Sequence, residues 1–287
     1  MNDDLRAITI ELKRFLDQER EIGVEWYHDA GPVAEQPVAP TDPKRGIDTV
    51  QPVGGTMTKN EREDAFAQEC DGFVRRTVEL IASSPKGPAT PELSPGDSKV
   101  VALASLADEV AGCTACKLYP TRTRTVFGVG NPDADIVFIG EAPGKNEDEQ
   151  GEPFVGRAGK LLTDILKAIG FERDDIYICN ILKCRPPGNR DPEADEVKAC
   201  EPFLKRQLAV LQPRLICCLG RHAAMTLLQT RASLRSMRET VHFYEGVPVL
   251  ATYHPAALLR NPHWKRDTWD DVRKLRALHD ALVGDKS

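Results

Sequence analysis

No apolar stretch in the 287 residues reaches the roughly 18 that a membrane-spanning helix requires. The opening Met1-Asn2-Asp3-Asp4 is acidic and has neither the basic flank nor the apolar core of a signal peptide. The expectation is a soluble, cytoplasmic protein with no membrane partner. There is no internal repeat. No Gly-Lys-Ser/Thr follows the glycine-rich turn at Gly140–Gly144, which excludes a phosphate-binding P-loop there. An overall excess of positive charge is also missing. The net charge is −6, but residues 1–100 carry −7, residues 101–287 carry +1, and residues 201–287 alone carry +6. An anion-binding face toward the C-terminus is compatible with that split, although charge counts by themselves favour a solvated surface. Cysteine is plentiful, with eight residues. In an intracellular setting these argue for metal or redox chemistry rather than disulfides.

The chain divides near residue 98. Residues 4–20 read as a short amphipathic helix, with Leu5, Ile8, Leu12 and Leu16 on one stripe. A Pro- and Gly-rich stretch comes next, from about Gly31 to Gly55. Residues 60–83 again look helical, and Ser84–Ser98 carries four prolines. Isolated helices between such spacers describe a tethered, poorly structured N-terminal extension over residues 1–98. Cys70 stands alone there and reads as a buried or idle thiol.

From residue 99 short apolar runs alternate with helical patterns. Strands are expected at Ile136–Gly140, Ile176–Leu182, Leu215–Gly220 and Val247–Tyr253. Helices are expected at Gly159–Ile169, Ala194–Leu211, Arg221–Gln229 and Arg266–Val283. The fold class is therefore α/β, a central, mostly parallel sheet flanked by helices, over residues 99–287. Such sheets bind ligands at the carboxyl ends of their strands, so the residues just past each strand end matter most.

After the first strand come Gly140-Glu141-Ala142-Pro143-Gly144 and Gly151-Glu152-Pro153-Phe154-Val155-Gly156. The glycines permit a tight turn and close approach of backbone to a ligand. After the second come Asn180 and the run Lys183-Cys184-Arg185-Pro186-Pro187-Gly188-Asn189-Arg190-Asp191-Pro192. An asparagine at a strand end offers a donor and an acceptor at once, or it merely caps a turn. After the last comes His254-Pro255-Ala256-Ala257-Leu258-Leu259-Arg260. A histidine at the carboxyl end of a buried strand, opening a Pro-fixed loop, is better placed for function than a lone histidine elsewhere. Separately, Cys113 and Cys116 form a C-x2-C pair ahead of the sheet, and Cys184 and Cys200 come later with 15 residues between them. Four thiolates without a nearby histidine suit a four-iron cluster or tetrahedral zinc, and spacing does not choose. Cys179, Cys217 and Cys218 sit inside apolar strands and read as core.

Taken in order, GEAPG, GEPFVGRAGKLL, NILKCRPPGNRDP and HPAALLR resemble the family 4 uracil-DNA glycosylases over about residues 99–284. The resemblance implies a fold of that kind and a 4Fe-4S cluster on Cys113, Cys116, Cys184 and Cys200. It implies a catalytic set of Glu141, Asn189 and His254, with Glu141 and Asn189 holding the attacking water and His254 bonding the uracil O2. Gly140, Ala142, Phe154 and Asn180 would line the uracil site, Phe154 by stacking and Asn180 by reading the polar edge. Leu258 or Leu259 would wedge into the vacated base stack. A related branch carries an aspartate where this chain has Ala142, which leaves the general base open. The implied reaction is monofunctional hydrolysis of the deoxyuridine N-glycosidic bond. It has no lysine nucleophile and leaves an abasic site for base excision repair. The implied partner is uracil-containing DNA, with an intracellular, nucleoid-associated location and a protein partner open for the extension. The alternative is a uracil-binding relative that does not turn over. Such relatives insert a basic, histidine-bearing segment, and Pro186–Ala199 contains no histidine.

Overall fold

The computed structural model describes residues 58–83 and 98–284. The expected helix at 4–20 and most of both proline-rich stretches lie outside them. Strands β1 (Val129–Gly130), β2 (Ile136–Gly140), β3 (Tyr177–Asn180), β4 (Leu215–Leu219), β5 (His242–Tyr244) and β6 (Val247–Thr252) form one sheet in the order β1-β3-β2-β4-β6-β5. The inner four are mutually parallel, and the two short edge strands run antiparallel. The sheet is thus mostly parallel, as the sequence implies. Nothing in the sequence pattern marks the antiparallel edges.

The inner strands are apolar at nearly every position because both faces are covered, and each face takes alternate residues. Val137, Ile139, Ile216, Cys218, Val249 and Ala251 face one way. There they meet α2 (Lys99–Ala111), α5 (Ala194–Leu211) and α6 (Arg221–Leu228) through Leu103, Leu204, Leu208, Ala223 and Leu227. Ile136, Phe138, Ile178, Leu215, Cys217 and Leu250 face the other way, toward Leu162 and Leu166 of α4 (Arg157–Ala168) and Val272, Leu275 and Leu278 of α9 (Trp264–Gly284). Cys179, Cys217 and Cys218 are buried in these two layers. Shorter helices α3 (Lys145–Gln150), α7 (Leu234–Arg238) and α8 (Pro255–Arg260) complete the shell.

Helix α1 (Lys59–Ser83) does not hang free. Phe66, Cys70, Phe73 and Thr77 fall at helical spacing on one stripe, and the last three are buried. Phe73 joins the core layer of α9. Arg273 of α9 stacks over the Phe66 ring at 4.0 Å, and Lys274 pairs with Glu69 at 2.7 Å. Burying a phenylalanine side chain contributes about 1.5–3 kcal/mol, enough to seat a helix whose flanks are spacers.

Candidate active site

The pocket begins with a register. Gly140 ends β2, Asn180 ends β3, and the two are direct partners across the parallel ladder. A Cβ on Gly140 would lie 2.3 Å from Asn180 Oδ1 and 2.7 Å from the Phe154 ring, so only glycine lets both side chains close on the strand end. Asn180 is 2% exposed, and its Oδ1 is the buried side-chain oxygen or nitrogen without a hydrogen-bond partner among the described residues. A buried acceptor left unpaired costs about 1–3 kcal/mol, so this oxygen is open to a donor from outside the chain.

Phe154 is held from both sides. Its backbone sits at φ 55°, in the left-handed region that a bulky residue rarely adopts. Glu147 Oε1 accepts the N–H groups of Val155 and Gly156, both at 3.1 Å. Arg173 donates to the Phe154 carbonyl at 3.3 Å and to the Pro153 carbonyl at 3.0 Å. Gly159 of α4 lets the Phe154 carbonyl pass where a Cβ would be 1.8 Å away. A carboxylate behind the residue, a guanidinium ahead of it and a missing side chain beneath it offset the strain. Neither Glu147 nor Arg173 stands out in the sequence, because KNEDEQ and ERDD read as solvated surface.

His254 caps α8. Its Nδ1 accepts the Ala256 N–H at 3.1 Å, with Pro255 in the first helical position. That bond puts the proton of the neutral ring on Nε2, making Nε2 a donor. Burial, reinforced by Arg260, depresses its pKa to about 4, so the ring is neutral near pH 7. The Phe154 and His254 ring centroids are 5.4 Å apart and the rings are tilted by 30°.

Nearby, Glu141 and Asp191 come from two loops and His222 from the first turn of α6, with one ligating atom from each within 4.8 Å of the others. Burial raises the Glu141 pKa; His222 and Arg221 pull it down, and Asp191 pushes it up. Asn189 is exposed at φ 55°, and its Oδ1 accepts from Arg185 Nε at 2.7 Å.

At the far end of the Cys184–Cys200 segment, Cys113, Cys116, Cys184 and Cys200 line one recess with Arg122 and Lys183. Three of the sulfurs already accept N–H groups. Ala115 N reaches Cys113 at 3.5 Å, Lys183 N reaches Cys200 at 3.3 Å, and Arg122 Nη1 reaches Cys184 at 3.3 Å. Buried Lys183 donates its ammonium to the carbonyls of Asn180 and Phe127 and to Gln207 Oε1. It therefore joins this recess to the pocket strand.

A family model described as the uracil DNA glycosylase superfamily matches residues 127–273. The chain is 45% identical over 185 residues to the type-4 uracil-DNA glycosylase of Sulfurisphaera tokodaii, covering 61% of this chain and 84% of that protein. It is 46% identical over 178 residues to that of Archaeoglobus fulgidus, covering 59% and 89%. Against the Thermotoga maritima protein the figures are 42% over 176 residues, 60% and 92%. The chain belongs to the type-4 uracil-DNA glycosylases.

In this family member, Asn180 and the Phe154 ring lie against Gly140, His254 lies beside that ring, and Glu141 stands at the neighbouring turn. Ala142 is half-buried and leans on the core layer of α5 and α6. One expected pair resolves into opposite fates. Leu258 is 1% exposed and packs inward, whereas Leu259 is 44% exposed. Leu258 is therefore a core residue, and Leu259 is the one of the pair that faces out. Adjacent helical positions point about 100° apart, and the sequence does not say which faces out.

Proposed function

We propose that this chain flips deoxyuridine out of DNA and hydrolyses its N-glycosidic bond, releasing uracil and leaving an abasic site. The observation that carries the reading is the unpartnered, buried Oδ1 of Asn180 at the strand end, packed with the Phe154 ring against Gly140. Uracil supplies the missing donor through its N3–H, and the Asn180 amide nitrogen then meets O4. Cytosine has an acceptor at N3 and an amine at C4, so it would leave both amide atoms mismatched. Phe154 stacks on the ring, which favours any base and adds affinity rather than choice.

As the glycosidic bond breaks, negative charge collects on uracil O2. His254 Nε2–H stabilises it as a neutral donor fixed in advance by the Nδ1 cap. Glu141 holds and activates the attacking water, with Asn189 a second candidate for that contact. Leu259 fills the space the base leaves. The positive C-terminal third binds the phosphates.

The four cysteines are proposed to hold a 4Fe-4S cluster. They line one recess with no histidine among them, and such an all-thiolate donor set suits a four-iron cluster. When bound, the group supplies a cross-link between the end of α2 and the Cys184–Cys200 segment, not chemistry on the base. No described helix is long and apolar enough to cross a membrane, and a nucleoid-associated location is the one the proposed substrate requires.

The test is excision from oligonucleotides carrying uracil or cytosine by the iron-loaded chain and by Asn180→Ala. The reading expects uracil release by the wild type and a loss of about 30- to 1000-fold in the variant, the effect of one lost hydrogen-bonding group worth about 2–4 kcal/mol. Full activity in Asn180→Ala would place recognition elsewhere.

A further inference from the structure

Four parallel strands end at the pocket edge, and the proposed reaction draws on three of them: Glu141 after β2, Asn180 at β3 and His254 after β6. The end of β4 has no role in it. Gly220 turns there at φ 93°, where a side chain would be strained. A Cβ on Gly220 would lie 3.0 Å from His254 Cβ, so the first turn of α6 is pressed against the His254 loop. That turn carries Arg221 and His222. His222 Nε2 lies 3.2 Å from Asp191 Oδ2, with the two side chains 30% and 73% exposed. The Asp191 backbone is itself held. The Arg190 side chain beside it is paired with wholly buried Glu196 and donates to the Asp191 carbonyl at 3.0 Å. The Glu141 carboxylate lies within 4.8 Å of both partners.

We propose that His222, oriented by Asp191, is a positioning residue for Glu141. It fixes where the water-holding carboxylate points and favours its ionised form. This rests on the function proposed for the pocket. The imidazole bonds Asp191 through Nε2 and stands on a helix start immobilised against His254, so it presents a fixed edge to Glu141. The segment between the cluster cysteines thereby gains a second task, delivering Asp191 to the reaction edge. The charged groups facing Glu141 are His222, Arg221 and Asp191. Removing His222 deletes an influence that lowers the Glu141 pKa, and removing the Asp191 charge deletes one that raises it. The two changes therefore push the acid limb of activity in opposite directions, which a merely structural role would not do.

The experiment is single-turnover uracil excision between about pH 5 and 9 by iron-loaded wild type, His222→Gln and Asp191→Asn. Affinity for abasic-site product DNA is measured alongside. His222→Gln is expected to slow excision about 10- to 100-fold, part of the roughly 10²–10⁴ that a positioned base contributes. Its acid limb should move to higher pH. Asp191→Asn should slow excision less and move the limb to lower pH. Product affinity should stay within about threefold in both, because neither residue touches the base in this account. Rates and limbs matching an active wild type in both variants would overturn this proposal alone. An inactive wild type would overturn the function reading and this proposal with it. Excision that vanishes in EDTA with iron retained, and returns with Mg²⁺ or Mn²⁺, would also overturn it by making the trio a cation site.

Discussion

Asn180, Gly140 and His254 each act through a missing or pre-assigned contact. Asn180 lacks a partner, Gly140 lacks a side chain, and His254 has committed Nδ1 so that Nε2 is left to donate. Gly140→Ala would drive a methyl against the Asn180 amide and the Phe154 ring and displace both. It should reduce uracil excision by two orders of magnitude or more while iron content and far-UV circular dichroism stay unchanged. Near-normal excision would mean that the base sits elsewhere. His254 also leaves a mark on stability. Its folded pKa is about 4 against 6.5 for the free side chain, so between those values the unfolded chain binds a proton that the folded chain refuses. Stability from this residue is complete above about pH 6.5 and is lost as pH falls toward 4. The melting temperature of wild type should therefore fall more steeply over that window than that of His254→Gln, measured by calorimetry. Equal slopes would contradict the buried, neutral ring. At this scale Gly140, Asn180 and His254 stand out in the sequence because each ends or follows an apolar strand, whereas Phe154 enters only through the family resemblance. Glu147, Arg173 and His222 do not stand out. Their contacts join separate elements, and charged residues in short polar segments look the same whether they clamp a backbone or face water.

Among the elements, the four inner strands and helices α4, α5, α6 and α9 announce themselves by apolar runs and helical periodicity, whereas α2 is not among the expected helices. The edge strands do not announce themselves either. β1 is two residues long and β5 three, too short for a pattern to emerge. Helix α1 is legible as a helix but not as part of the core layer, since the proline-rich segments around it dominate the local composition. Its stripe through Phe66, Cys70, Phe73 and Thr77 is the docking face. Removing residues 1–57 should leave the melting temperature unchanged. Removing 1–98 should lower it by several degrees, because it uncovers the α9 surface that Phe73 fills; about 3 kcal/mol corresponds to that shift in a domain of this size. Both truncations should still excise uracil, because α1 packs on α9 and not on the pocket loops. Identical melting of the two would show that α1 contributes nothing to the fold.

Over the whole molecule, the reaction edge and the cysteine recess are ends of one construction, joined by the Cys184–Cys200 segment and by buried Lys183. Replacing Cys113, Cys116, Cys184 or Cys200 by Ala should lose iron and solubility, whereas Cys217→Ala should keep iron, as read by metal analysis and visible absorbance. Zinc in place of iron in an active preparation would contradict the cluster assignment. The central claim remains the chemistry. Purified, iron-loaded protein mixed with a uracil-containing oligonucleotide should release free uracil, detected by chromatography, and leave a strand that breaks only after alkali. Tight binding of that oligonucleotide with no free uracil, or strand breakage without alkali, would contradict the account.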